Sequence, residues 1–351
     1  MRCTQGSIGL AVVLLAAGAV QAAITIDTVP VGDPGNVGER SGSGAVYGYG
    51  PGRICGAVAY TYNIGKYEVT AGQYTAFLNA VAKTDTYALY KNWMWQEDDG
   101  CKIQQSGASG SYTYSVASDY ANRPVNYVRF WDACRFANWL HNGQPTGAQG
   151  AGTTERGAYT LDGYNLSDGR AIQRSADAKW AVTSEDEWYK AAYYKGGGTN
   201  AGYWDYPTSS YTDPGQDMAD ASGNNANYYT DPFALPIDSG KYYTTVAGEF
   251  QNSHSPYGTF DQGGNVWEWI EAIPYPDLTY GTRGLRGGSY GCDRSYLRAA
   301  NRSGYSEPPI EAGTLGFRVS EVPEPATMSL LALGGLGMLL RRRVARRTGR
   351  P

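Results

Sequence analysis

Between residues 197 and 258 the chain offers few apolar runs from which a buried helix or strand could be made. The stretch is dense in Gly, Asn, Asp and Tyr instead. A loop of that length inside a compact domain is uncommon, and where it occurs it is functional or stiffened by an ion. This excludes a helical bundle. Disorder is excluded by the rest of the composition: 42% hydrophobic residues can fill a core, and only 18% are charged. With 47 glycines and 30 tyrosines, the expected product is loop-rich and aromatic-rich.

Both ends are addresses. Arg2, the apolar run "IGLAVVLLAAGAV" and the small residues "QAA" form the three parts of a secretory signal peptide over residues 1–23, cleaved near Ala22 or Ala23. At the other end stands "VPEPATMSLLALGGLGMLLRRRVARR". Its apolar run, Ala326 to Leu340, is shorter than the ~20 residues that cross a bilayer comfortably. The arginines behind it would stay cytoplasmic. This segment, 322–351, resembles the PEP-CTERM sorting signal. The resemblance implies a short membrane helix anchored transiently in the inner membrane. It also implies an exosortase as partner, cleavage near Pro323–Pro325, and delivery to the cell envelope or the extracellular space.

Seven of the 29 basic residues and one of the 33 acids, Glu324, lie in these terminal segments, so 22 basic groups face 32 acids in the body, a balance near −10. Such a body repels phosphate backbones, and nucleic acid is not expected as a partner.

Within the body, residues 24–55 read as an irregular lead-in with one strand in "AAITIDTV". "VAYTYNIGKYEVT" alternates as a strand does. Thr70 and Gln73 then form a capping box, with Tyr74, Phe77, Leu78 and Val81 on one helical face. In "RFWDACRFANWLHNG" the stripe is Phe130, Ala133, Cys134, Ala137 and Leu140, with Asp132 at the positive end and Gly143 as the stop. Ser184 and Glu187 cap a third helix that Gly196 ends. Short strands are expected around "LRGGSY" and "LGFRVSEV". Few helices, many short strands and long loops indicate α+β.

Five segments recur in a recognisable order: "IGKYEVTAGQYTAFLN", "RPVNYVRFWDACRFANWL", "TSEDEWYKAA", "PYGTFDQGGNVWEW" with "LRGGSY", and "LGFRV". Together, over residues 56–320, they resemble the formylglycine-generating enzyme, or sulfatase-modifying factor, family. That resemblance implies a loop-rich variant of the C-type lectin fold. It also implies a copper-dependent oxidase acting through two thiols five residues apart, after the RGGS turn. Two soft thiolates suit Cu(I). Here the first position is Cys292 and the second is Leu297, which has no lone pair to offer, so copper is not expected. Neither His141 nor His254 replaces the missing ligand. His141 ends a helix, as a partner for its dipole, and His254 sits in a polar, solvated loop.

Cys292 is left with three readings: half of a disulfide with Cys55 or Cys101, a relic thiol, or a reactive group. Cys134, on its helical stripe, reads as inert packing. The hard oxygens of "DQGGNVWE" carry a different chemistry. By resemblance to the family's calcium loop, Asp261 and Glu268 supply side chains, Gly264 and Val266 supply carbonyls, and Asn265 orients the turn. Trp267 and Trp269 are expected on alternate sides. A second calcium loop would use Asn227, the Tyr228 carbonyl and Asp238.

The expectation is an exported, non-catalytic, calcium-stabilised recognition protein. Most tyrosines and tryptophans of "YWDYPTSSY", "NANYY" and "GKYYTT" are expected to be structural, and the others would stack on extracellular polysaccharide or pack on a surface protein. The alternative is a diverged oxidoreductase using Cys292.

Overall fold

A computed structural model describes residues 23–230, 242–275, 281–302 and 304–323. The leader, the sorting segment and Asp238 lie outside these residues. Among the described residues no helix is long and apolar enough to cross a membrane.

Strands β1 (Thr28–Val31), β2 (Glu39–Ser41), β3 (Arg53–Cys55) and β4 (Tyr62–Gly65) lead into helix α1 (Ala71–Val81). A single helical turn, α2 (Trp93–Gln96), and the hairpin β5 (Ile103–Ser106) and β6 (Thr113–Val116) follow. Next come α3 (Phe130–His141), β7 (Trp180–Val182) and α4 (Glu185–Tyr193). After the long loop come β8 (Trp267–Ile270), β9 (Arg283–Arg286), β10 (Tyr305–Ser306), β11 (Leu315–Phe317) and β12 (Val319–Glu321).

One sheet runs β1-β4-β12-β7 and another β10-β9-β8-β11. Pairing is antiparallel throughout both, except that β11 lies parallel to β8. This is the expected α+β, loop-rich architecture. The expected first strand sits later than "AAITIDTV", at Thr28–Val31, because there it meets β4 in register, Thr28 opposite Gly65. The lead-in is thereby tied into the body.

Helix α1 begins at the Thr70–Gln73 capping box, with Gln73 N–H donating to Thr70 at 3.2 Å and Thr70 N–H to Gln73 at 2.9 Å. Helix α4 begins at the Ser184–Glu187 box. Helix α3 departs from its expected stripe: Phe130 to Leu140 are all buried. Its polar back is buried because each group finds a partner. Arg135 pairs with Glu155 at 2.7 Å, and Asn138 donates to the carbonyls of Thr154 and Tyr159 at 2.7 and 2.9 Å. On the apolar side Tyr74, Phe77, Phe136, Trp139 and Phe317 interlock, with Phe136 5.3 Å from Phe77 and 5.4 Å from Phe317. Full burial of each large apolar side chain stabilises by roughly 1.5–3 kcal/mol.

Candidate functional site

The turn between Asp261 and β8 is built by left-handed backbone. Asp261 (φ 59°) and Asn265 (φ 58°) are residue types that tolerate this region. Gly264 is required for a second reason: a Cβ there would stand 2.1 Å from the Asn227 carbonyl oxygen. The close approach lets Asn265 N–H donate to that carbonyl at 2.9 Å. The two loops from which oxygens were expected are therefore joined directly.

Asn265 is the hub. Its Oδ1 accepts from Thr245 N–H at 2.8 Å and from Asn227 Nδ2 at 3.1 Å. Its Nδ2 donates to Glu68 at 3.1 Å, and Val266 N–H donates to the other Glu68 oxygen at 3.2 Å. Below the turn, Glu268 is fully buried against Arg318. The guanidinium holds both carboxylate oxygens, at 2.9 and 2.8 Å, and reaches the carbonyls of Gly65 and Phe260 at 2.7 and 2.8 Å. Trp188 Nε1 donates to Glu268 at 2.7 Å.

Glu68, Asp261 and Glu268 thus share one buried cation. Burial, reinforced by the charges of Asp261 and Glu268, pushes Glu68 well above the usual carboxylate range. Burial likewise raises Asp261 to about 6, against the Gly248 N–H bond and Arg318.

The two oxygen sets respond differently when tested against a hard cation such as calcium. Asn227 Oδ1 is buried without a hydrogen-bond partner, the kind of acceptor a cation satisfies. The Tyr228 carbonyl accepts from Gln216 Nε2. In the other set Glu268 is committed to Arg318, which leaves Asp261 and the Gly264 and Val266 carbonyls. Among the described residues no group of three or more His, Cys, Asp or Glu side chains is arranged to hold a metal.

Trp267 and Trp269 do not face alternate sides. They stand two apart on β8, so their side chains share a face. Trp269 is buried in the main core and Trp267 packs against it, while Glu268, between them, points to Trp188 and Arg318.

At the second turn, Cys292 is half-buried and unpaired. Its Sγ lies 3.4 Å from Ser289 Oγ, and its carbonyl accepts from Tyr229 N–H at 2.7 Å. Of the three readings of Cys292, the disulfide is not formed. Cys55 is buried in a different cluster, its thiol 3.5 Å from the Arg286 guanidinium, and Cys101 and Cys134 are buried in the main core. Burial pushes the Cys55 and Cys101 thiols up to about 11, which makes both inert at neutral pH.

Leu297 closes a short 3-10 turn, Arg294–Leu297, in which the Asp293 side chain accepts from Ser295 N–H at 2.8 Å. It is fully buried with Tyr206, Ala226 and Tyr228. The turn glycines fit closely around it: a Cβ at Gly288 would meet Leu297 Cδ1 at 3.0 Å. Beside this turn opens a cavity of about 660 Å³, lined in part by Asp213, Tyr228, Arg294 and Arg298.

A model of the sulfatase-modifying factor enzyme 1-like domain matches residues 56–322. The chain belongs to that family. The PEP-CTERM protein-sorting motif matches residues 321–343, so the family domain is joined to a signal for export and for recognition by exosortase machinery. The crystal structure of CarF superimposes with a TM-score of 0.50 at 21% identity, covering 86% of this chain and 99% of that one. At that identity the likeness speaks for the shared fold, the loop-rich C-type lectin variant. Treponema denticola variable protein 1 matches with a TM-score of 0.44 at 18% identity, over 87% of this chain and 100% of that one.

Within the family frame, two participants had gone unassigned. Glu68 lies in "KYEVT" and Arg318 in "LGFRV"; a lone acid after a strand and a lone base in an apolar run were the available signals. His141 is not a charged partner of its helix. Its Nδ1 accepts from Lys179 N–H at 3.0 Å, and burial lowers its proton affinity. Tyr203, Tyr206 and Tyr228, from the aromatic stretches, are core residues, in keeping with the expectation that most of these aromatics are structural.

Proposed function

We propose that the exported domain is a non-catalytic recognition protein of the envelope or extracellular matrix. Leu297 carries this reading. The family's copper chemistry needs a second soft ligand there, and an aliphatic side chain fills the place completely. Cys292 has Ser289 as its side-chain partner, not a second thiol.

The test is incubation of the protein with copper, oxygen and a sulfatase-motif peptide. The peptide cysteine should keep its mass; conversion to formylglycine would overturn the reading. Leu297→Cys is the complement. Tight Cu(I) binding by that variant would mean that one substitution accounts for the loss of the metal site.

Calcium is part of the proposal, as a brace and not a reactant. Asn227 Oδ1 would hold it at one loop, with the Tyr228 carbonyl and Asp238. Asp261 and the Gly264 and Val266 carbonyls would hold it at the other, while Glu268 stays with Arg318. The orphaned Asn227 oxygen supports the assignment. Chelation should lower the melting temperature of the wild type, and by less that of Asn227→Leu, which keeps only the Asp261 loop.

A further inference from the structure

Of the nine tryptophans in the chain, the two most exposed sit on the single turn α2: Trp93 at 47% and Trp95 at 40%. Between them Met94 is fully buried. Successive helical residues are about 100° apart, so the two indoles leave the turn in nearly opposite directions. Each enters a different hollow. Trp93 lines one of about 460 Å³ with Asp85, Tyr90, Lys91, Gln105 and Tyr112. Trp95 lines another of about 510 Å³ with Lys102 and Tyr120. Leaving two large aromatic surfaces in water forgoes burial that stabilises the fold elsewhere.

The platform is rigid. Lys102 N–H donates to the Met94 carbonyl at 2.7 Å, and Asn79 of α1 grips both the N–H and the carbonyl of Tyr114, at 2.9 and 2.8 Å. A ligand would therefore meet a preformed surface and lose little affinity to ordering it.

The charges in the Trp93 hollow are already answered. Lys91 pairs with Glu311 at 3.0 Å. Asp85 accepts from Leu89 N–H, Tyr90 N–H and Gln149 Nε2 at 2.8, 3.1 and 3.0 Å. What remains to a ligand is aromatic surface rimmed by amide and hydroxyl groups. Asn92 adds to that rim, since its side chain makes no capping bond to the helix. The negative face of an aromatic ring favours the polarised C–H face of a pyranose, and rim amides suit its hydroxyls. An acidic polymer would find no unpaired cation in this hollow.

We propose that the Trp93 hollow is a subsite for a neutral polysaccharide. The proposal rests on the recognition reading above and gives it a location.

The test is a tryptophan-fluorescence titration of the exported protein with laminarin, dextran and galactomannan, and with alginate as the acidic comparison. At least one neutral polymer should bind saturably. Trp93→Ala should weaken binding about tenfold, the scale of one lost aromatic contact. Trp93→Phe, which keeps a ring, should bind within about threefold of wild type, with an unchanged melting temperature. The proposal falls if none of the three neutral polymers binds, if alginate binds more tightly than all of them, or if Trp93→Ala binds as wild type does. The last result would discard this site while leaving the recognition reading intact; formylglycine production by the unaltered protein would instead discard that reading.

Discussion

The turn that ends at Glu268 and the turn that carries Cys292 lie side by side: Gly264 N–H donates to the Gly287 carbonyl, and Tyr290 N–H to the Asn265 carbonyl, each at 2.9 Å. They differ in how they treat polar groups. At the first, Glu268 and Arg318 are fully buried and fully bonded. At the second, a half-open thiol stands beside a leucine that packs like any core residue. A buried ion pair is costly to break, because removing one partner strands the other. An open thiol can lose its purpose at almost no cost to the fold. Buried charge therefore anchors the first turn, while the packing of the second does not depend on its thiol.

The sharpest way to break the comparison is Arg318→Met. It strands Glu268 and leaves Glu68 and Asp261 without their shared cation. Loss of about 3–5 kcal/mol is expected, read as a lower denaturant midpoint with little change of slope. A loss below about 1 kcal/mol, the scale of an exposed pair, would mean the pair is not the buried anchor described. Leu297→Cys, at the other turn, should cost about 1–3 kcal/mol for the volume removed from a closed pocket. Cu(I) should restore part of that loss if the pocket still admits a metal.

Calcium tests whether the Asn227 loop and the turn that ends at Glu268 are braced by an ion. A ligand at a hundred times its Kd stabilises by about 2.7 kcal/mol, and the melting temperature should rise accordingly on calcium addition. If Asn227→Leu retains the full rise, the orphaned oxygen is not a ligand.

The pH profile separates buried carboxylates by sign. Burial raises Glu39 to about 7, against its bond from Tyr189. Its folded value exceeds its unfolded one, so its contribution is present below about 4.5 and is lost as the pH rises through about 7. Glu187 is opposite: although burial opposes it, Arg174 brings it down to about 2. Its contribution is present above about 4.5 and is lost as the pH falls through about 2. Melting temperatures from pH 2 to 8 should show both flanks, and Glu39→Gln should reduce only the upper one, to which Asp261 and Glu68 also contribute.

Much of this was legible in the chain because local rules coincided with motif. The Thr70–Gln73 and Ser184–Glu187 boxes stand in the structure as their spacing says. The loop-rich body follows from the absence of apolar periodicity after residue 197. What escaped was set by distant partners. Arg135 and Asn138 lie buried on the polar face of α3 because Glu155, Thr154 and Tyr159 arrive from another loop. The role of Glu268 could not be read while Arg318, fifty positions away, was only a basic residue in an apolar run. The sequence alone assigns Trp93 and Trp95 no role. Only the single turn that buries Met94 turns them outward.

The smallest expected effect measures how little the second turn depends on its thiol. Cys292 is half-buried, makes one long contact with Ser289 at 3.4 Å, and holds the local backbone through its amide and carbonyl, which any residue would supply. Cys292→Ser should therefore shift stability by no more than about 0.5 kcal/mol, as surface changes usually do. Neutral-glycan affinity should not change. Cys134→Ser provides the scale. That thiol is wholly enclosed in the main core, where a hydroxyl without a partner costs about 1–3 kcal/mol. If the exposed variant proves as damaging as the buried one, Cys292 is still held in place by something that makes use of its sulfur, and the contrast between the two turns fails.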